Sequence, residues 1–212
     1  MMQYLYHASP IGGIGILEPR ISNHGDPRVY FSEKRENTLV YLSNAVERFC
    51  KGTRFRHKGI WSKWGPYGFT ADRRVQFHEY YPNALVDTYK CVPGYIYTVA
   101  FGDGILPLDG IPGAYYSSVS VKVVSCKPID DAYAEFMNAY HEKLIDIVFY
   151  DDWSEKQLES IRTMIGREYG NPEIPEDYRY FLKNKFPWLK DGADEIYGPF
   201  ETVDEQIKAL ND

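Results

Sequence analysis

The sequence has few cysteines, no long apolar run and no excess of positive charge. Its three cysteines, Cys50, Cys91 and Cys126, are odd in number and lack a CxxC spacing, which argues against a disulfide framework and against a zinc site. No apolar stretch approaches the roughly 18 residues of a membrane span, and the opening "MMQYLYH" has no basic segment followed by an apolar one. We therefore expect a cytoplasmic protein with no membrane partner and no metal.

The formal net charge of −6 argues against a nucleic-acid partner held by overall electrostatic attraction. One local exception is the basic loop 54–74, in which arginines and lysines alternate with Phe55, Trp61 and Trp64. A solvated loop with aromatic anchors is the simpler interpretation of this segment, and contact with phosphate groups is the alternative that it leaves open.

Aromatic residues are abundant in this chain. They make up 16% of it, and 19 of them are tyrosines. Tyrosine buries a ring while its hydroxyl still forms hydrogen bonds, so this composition suits both a ligand cleft and an ordinary tyrosine-rich core.

Alternation and helical spacing predict an α+β organisation. We predict a mixed α+β domain over 1–130 and a mostly helical extension packed on it over 131–212. The predicted strands cover 3–7, 28–32, 92–101, 118–126 and the apolar run 145–152, and the predicted helices cover 36–50, 129–144, a segment from Ser154, 175–186 and 202–210. Ser154 and Gln157 have the spacing of a capping box, which indicates where the first of the C-terminal helices begins.

Two short motifs carry the strongest functional signal. "YLYHAS" (4–9) ends a strand in His7, just before a glycine-rich turn. "VYFSEKRENTLVY" (29–41) places Tyr30 on a second strand and Tyr41 on the helix that follows, eleven residues later. A strand that returns through a helix would bring these side chains to one place.

These motifs resemble those of the ADP-ribosyltransferase superfamily, in the His-Tyr-Glu branch that includes the diphtheria-toxin and PARP-like catalytic domains. That branch ends its first strand in YHG[ST], where this chain has "YHAS". The resemblance covers residues 4–43 clearly and 92–130 loosely. It implies a split, mostly antiparallel β-sandwich around a cleft for NAD. The C-terminal helical extension lies outside the resemblance and is predicted from the spacing of its apolar residues.

The resemblance also implies roles for individual residues. His7 would hydrogen-bond the ribose of the adenosine half of NAD, or the neighbouring backbone. Tyr30 and Tyr41 would stack against the nicotinamide ring, and Ala8, which stands where the family has glycine, would offer its backbone to the nicotinamide amide. Alanine suits that place unless the backbone needs a positive φ.

The third motif of the family is a glutamate at the start of a late strand. In "SSVSVKVV" the matching position is Ser120, or Ser118, and no acidic residue occurs between Gly110 and Ile129. Glu79 in "FHEYYP" is the spare carboxylate, although the order of the motifs does not place it at the site. A carboxylate stabilises the charge of an oxocarbenium-like ribose, which a serine does not do.

We therefore predict a protein that binds NAD, as a substrate if it is an enzyme, or a related nucleotide. If it is active, it would transfer ADP-ribose to an unidentified macromolecular acceptor or hydrolyse NAD. The alternative is a non-enzymatic protein-interaction module with a vestigial nucleotide cleft, in which the helical extension docks a partner.

Overall fold

A computed structural model describes residues 3–21, 25–57 and 66–191 of the chain. The strands are β1 (Tyr4–Ser9), β2 (Ile16–Leu17), β3 (Arg20–Ile21), β4 (Pro27–Ser32), β5 (Tyr67–Phe69), β6 (Val75–His78), β7 (Gly94–Ala100), β8 (Ile105–Pro107), β9 (Ala114–Ser117), β10 (Val121–Ile129) and β11 (Asp146–Val148). The helices are α1 (Ala45–Thr53), α2 (Ala84–Tyr89), α3 (Ala132–His141), α4 (Glu155–Gly170) and α5 (Glu176–Lys185), with 3₁₀ segments at Glu36–Tyr41, Tyr150–Asp152 and Pro187–Asp191. No described helix is long and apolar enough to cross a membrane.

The larger sheet is open and antiparallel, with β1 near its middle. Its strands run in the order β2-β10-β7-β1-β4-β9-β8, and β3 pairs with β4. Every pairing within it is antiparallel. The α+β class and the mostly antiparallel sheet are therefore as the sequence predicts.

Alternation along the strands divides the core between the two faces of this sheet. Leu5, Tyr97 and Val99 are buried on one face. Ala8 and Ile96 are buried on the other, against the 3₁₀ segment 36–41 and helix α3. Because neighbouring residues of a strand point to opposite faces, both faces need covering, and the helices cover one of them.

The chain after residue 130 contributes to the same core. Phe136 of α3 is fully buried among Phe77, Tyr89 and their neighbours. Strand β11 then pairs in parallel with β6, in a small sheet of order β11-β6-β5. Strand β11 lies within the apolar run 145–152 that the sequence predicts as a strand, and the contacts of the segment 131–212 run across the predicted boundary.

A second core joins α1 to the C-terminal helices. Its buried side chains include Val46 of α1, Ile161 and Ile165 of α4, and Phe181 and Leu182 of α5. Ser154 and Gln157 form the predicted capping box at the start of α4. The helix predicted over 202–210 lies outside the described residues.

The continuous helix predicted over 36–50 is wrong, because the structure has two shorter helices there. A 3₁₀ segment ends at Tyr41, and α1 begins only at Ala45. Asn44 has an extended backbone, and its side-chain oxygen accepts hydrogen bonds from the amides of Val46 and Glu47. An asparagine that caps the next helix in this way competes with a continuous helix, so the chain turns here.

Candidate functional site

The larger sheet opens between β1 and β4. On one side, β1 is paired with β7 from Tyr4 to Ser9. On the other side its register with β4 is confined to Tyr6 and Ser32. Beyond that pair the end of β1 has no registered partner in β4, and both strands contribute residues to a cavity there.

His7 bridges the gap where the strands separate. Its Nδ1–H donates a hydrogen bond to the carbonyl oxygen of Tyr30 over 2.9 Å. The ring also meets that of Phe31 edge-on, with centroids 6.1 Å apart. A side chain thus takes the place of a strand-to-strand hydrogen bond and leaves room for a cavity beside it.

This cavity, called the aromatic cavity below, has a volume of about 270 Å³. Its described lining is aromatic, aliphatic or neutral and polar. The lining residues are Tyr6, His7, Ala8, Ser9, Pro10, Tyr30, Phe31, Ser32, Asn37, Thr38, Tyr41, Tyr67, Phe69, Leu108, Ile111, Pro112, Gly113, Ala114 and Tyr115. His7, Ala8, Tyr30 and Tyr41, which the sequence singles out from two separate motifs, therefore meet at one place.

His7 is in its neutral form at physiological pH. Burial lowers its pKa, the hydrogen bond to the carbonyl of Tyr30 works in the opposite direction, and the charge of Arg20 lowers the pKa further. Because a carbonyl only accepts, the neutral ring carries its proton on Nδ1, and Nε2 is left as an acceptor. A ligand hydroxyl is a suitable donor to that nitrogen.

Two tyrosine hydroxyls pair at the side of the cavity. The hydroxyls of Tyr41 and Tyr67 are 2.9 Å apart, and their rings stand nearly perpendicular at 81°. Burial raises the pKa of both, so they remain protonated and the cavity remains uncharged there. No sequence signal marks Tyr67, because its short strand β5 lies within the segment 54–74, which the sequence predicts as a loop.

The loop after β1 is fixed by hydrogen bonds. The hydroxyl of Tyr97 donates to the carbonyl of Ile11 over 2.7 Å and accepts from the amide of Ile14 over 3.3 Å. The amide of Ile11 also donates to Ser9 Oγ. Ala8 belongs to an extended strand and lies outside the left-handed region, so alanine is accommodated where the resembling family has glycine.

The opposite wall of the cavity is formed by the turn 108–113. Gly113 has a φ of +78°, and its carbonyl accepts a hydrogen bond from the amide of Glu33 over 2.9 Å. The Glu33 side chain packs where a Cβ on Gly113 would lie, with its Oε1 only 2.5 Å from that position. This wall is therefore built on glycine for two reasons, the backbone angle and the close side chain.

We expect Gly113→Ala to lower the free energy of unfolding by about 2 kcal/mol, because it combines a strained left-handed residue with a displaced Glu33. Gly110→Ala is the matched control, since Gly110 has a φ of +79° and open space around its Cβ position. It should cost only about 1 kcal/mol. Urea unfolding measures both, and equal losses would contradict a role for the Glu33 contact.

Ser120 and Glu79, the two candidates for the position of the family's glutamate, are not among the described residues that line the cavity. Ser120 immediately precedes β10 and is exposed. Glu79 is buried at the end of β6, where its carboxylate accepts hydrogen bonds from the amides of Leu85 and Tyr150. None of the described lining residues carries a carboxylate.

Parts of the basic loop 54–74 have structural partners. The ring of Phe55 stacks on that of Tyr180 with centroids 4.0 Å apart. The guanidinium of Arg74 pairs with the carboxylates of Asp72 and Asp146. Trp61 and Trp64 lie outside the described residues, and the described part contains no cluster of three or more His, Cys, Asp or Glu side chains that could hold a metal.

Comparison with protein-family models, with curated proteins and with solved structures gave no match to this chain.

Proposed function

We propose that this protein has an ADP-ribosyltransferase type of fold and that its aromatic cavity binds NAD or a related nucleotide. The observation that carries the proposal is the meeting of His7, Ala8, Tyr30 and Tyr41 at the gap between β1 and β4. These residues come from two motifs that are more than twenty positions apart, and they line a single cavity.

The chemistry of the cavity suits a flat, uncharged ring joined to a sugar. Tyrosine faces favour stacking with an aromatic ring such as nicotinamide. The backbone edge that β1 leaves beyond Tyr6 offers amide and carbonyl groups to a carboxamide. Nε2 of neutral His7 accepts a hydrogen bond from a ribose hydroxyl.

The described lining residues are better suited to binding a nucleotide than to catalysing the transfer of ADP-ribose. Transfer of ADP-ribose passes through a positively charged ribose, which a neighbouring carboxylate stabilises. No described lining residue supplies one. Compared with the transferase, this favours the second candidate function, a non-enzymatic protein-interaction module with a vestigial nucleotide cleft. An acceptor macromolecule belongs only to the transferase form of the proposal.

Calorimetric titration of NAD tests the proposal. We expect binding in the millimolar range or tighter, and a loss of about tenfold or more in affinity for His7→Ala, because that change removes both the bridge to Tyr30 and an acceptor for the ligand. His141→Ala is the matched control, since His141 is exposed at the end of α3. It should bind NAD as the wild type does.

Absence of any heat at millimolar NAD would refute nucleotide binding, as would equal losses in the two histidine variants. Nicotinamide release, measured in the same samples, separates the two candidate functions. We expect no release above the uncatalysed rate. A clear release by the wild type that His7→Ala abolishes would instead establish the transferase or hydrolase.

A further inference from the structure

A second cavity lies between α1, α2 and α5 and is called the helical cavity below. Its volume is about 380 Å³. Each of the three helices, or the residue that ends it, places one cation on its wall: Arg48 from α1, Lys90 after α2 and Lys185 from α5. Asp87 is the one carboxylate among its described lining residues.

The single carboxylate is already neutralised. Asp87 forms an ion pair with Lys185, and this ammonium group also lies 5.0 Å from the ring centroid of Phe49 and 5.1 Å from that of Tyr81. Three partners thus hold Lys185 in place, and the positive charge of the other two cations is not compensated by Asp87.

Arg48 is oriented toward the same place. One of its guanidinium nitrogens donates to the carbonyl oxygen of Lys90 over 2.6 Å, which uses one of the five N–H groups of the side chain. Glu47, its neighbour in sequence, is paired with Lys51 at 2.5 Å. Within the described part of the chain, no carboxylate forms an ion pair with Arg48 or Lys90.

Most of the remaining wall is apolar or aromatic, and Phe49, Tyr81, Val86 and Phe181 contribute to it. Thr53, which carries a hydroxyl, and Cys91, which carries a thiol, lie in the same wall. A bare inorganic ion would contact only the charged part of the wall, whereas a molecule with an anionic head and a flat apolar body would contact both parts.

We propose that the helical cavity binds an organic phosphate monoester with an apolar or aromatic body. Such a head group carries between about −1.5 and −2 charges at neutral pH, which matches the two uncompensated cations. A guanidinium and an ammonium group are the side chains best suited to its oxygens. The site is separate from the aromatic cavity and does not depend on the function proposed for it.

Calorimetric titration with phenyl phosphate tests this site. Inorganic phosphate, which represents the anionic head, and phenol, which represents the aromatic body, are titrated for comparison. Phenyl phosphate should bind more tightly than either. Lys90→Met and Arg48→Met should each weaken it by about tenfold or more, since each removes a charge-assisted contact. Lys51→Met is the matched control, because Lys51 lies on the exposed side of α1 and should leave the affinity unchanged.

Arg48 also binds the carbonyl of Lys90, so the thermal unfolding of Arg48→Met is measured alongside. If that variant unfolds, the affinity for phenyl phosphate is compared instead in Lys90→Met and in Arg48→Lys, which preserves the charge. No heat with phenyl phosphate at up to about 10 mM would overturn the proposal. Equal losses in Lys51→Met and Lys90→Met would overturn it too, because they would show attraction to overall charge and not to a site.

Discussion

Replacing Glu79 by alanine should lower the free energy of unfolding by about 4 kcal/mol, the largest effect expected from a single change here. Glu79 is 5% exposed. Its Oε1 accepts from the amide of Leu85 over 2.9 Å, and its Oε2 accepts from the amide of Tyr150 over 3.3 Å. Alanine would leave two buried amides without an acceptor, and each such loss costs about 1–3 kcal/mol.

The carboxylate of Glu79 caps the N-terminus of α2. Leu85 lies in the first turn of α2, and Asn83, which precedes that helix in a left-handed conformation, forms no side-chain cap hydrogen bond. A negative charge at this end of a helix is also favoured by the helix dipole. Glu79 therefore joins β6, α2 and the 3₁₀ segment 150–152, at a place away from the aromatic cavity.

Denaturation by urea measures this effect, and two variants serve as controls. Glu79→Gln keeps one acceptor oxygen and should lose roughly half as much free energy as alanine. Glu159→Ala removes a carboxylate whose side chain is 72% exposed, and it should change stability by less than about 0.5 kcal/mol. If Glu79→Ala costs no more than Glu159→Ala, the capping role is refuted.

The second large effect is a loss of stability in mild acid that depends on His78. Burial lowers the pKa of His78 to about 4. The ring lies edge-on to Trp153 at 5.4 Å, and its Nε2 is 2.9 Å from the side-chain oxygen of Gln76. The unfolded chain, in which histidine has a pKa of about 6.5, takes up the proton first.

Between pH 6.5 and 4 the unfolded state thus binds a proton that the folded state does not. Stability should fall as the pH falls through this window, by about 3 kcal/mol in all from His78, and this contribution should level off below pH 4. His7, whose pKa is also lowered, acts in the same direction.

The contribution of His78 is isolated by comparing urea unfolding across this pH range in the wild type and in His78→Gln. In the variant, the free energy of unfolding should change much less with pH than it does in the wild type. His141→Gln, a change at an exposed histidine, should keep the wild-type dependence. Identical slopes in the wild type and in His78→Gln would show that the buried ring is not the group that titrates.

The helix predicted over 36–50 is interrupted at Asn44, and the segments on either side of this residue contribute to the two proposed sites. The 3₁₀ segment before it brings Tyr41 to the aromatic cavity, and α1 after it carries Arg48 to the helical cavity. One continuous helix would have placed Tyr41 and Arg48, seven residues apart, on the same face. Two short helices, separated by the extended backbone of Asn44, let a single stretch of chain contribute to both cavities.

The sequence was sufficient for the elements whose signals are local. The alternation in 92–101 predicts that Tyr97 and Ile96 face opposite sides of the sheet, because side chains alternate along any strand, and the two residues lie in different cores. The Ser154–Gln157 box predicts the start of α4, because both partners lie within one turn. His7, Tyr30 and Tyr41 were predicted from motifs, since each occupies a recognisable place in a short pattern.

What the sequence determined by itself was the α+β class and the start of α4. It also singled out four residues that line the aromatic cavity, and their role in binding stays a prediction. Only the tertiary structure decided that Glu79 joins α2 to the 3₁₀ segment 150–152, that Tyr67 pairs with Tyr41, and that Arg48, Lys90 and Lys185 meet at one cavity. The reason is that these features join residues far apart in the chain. Local patterns predict how a segment folds, whereas the packing of segments decides which side chains meet.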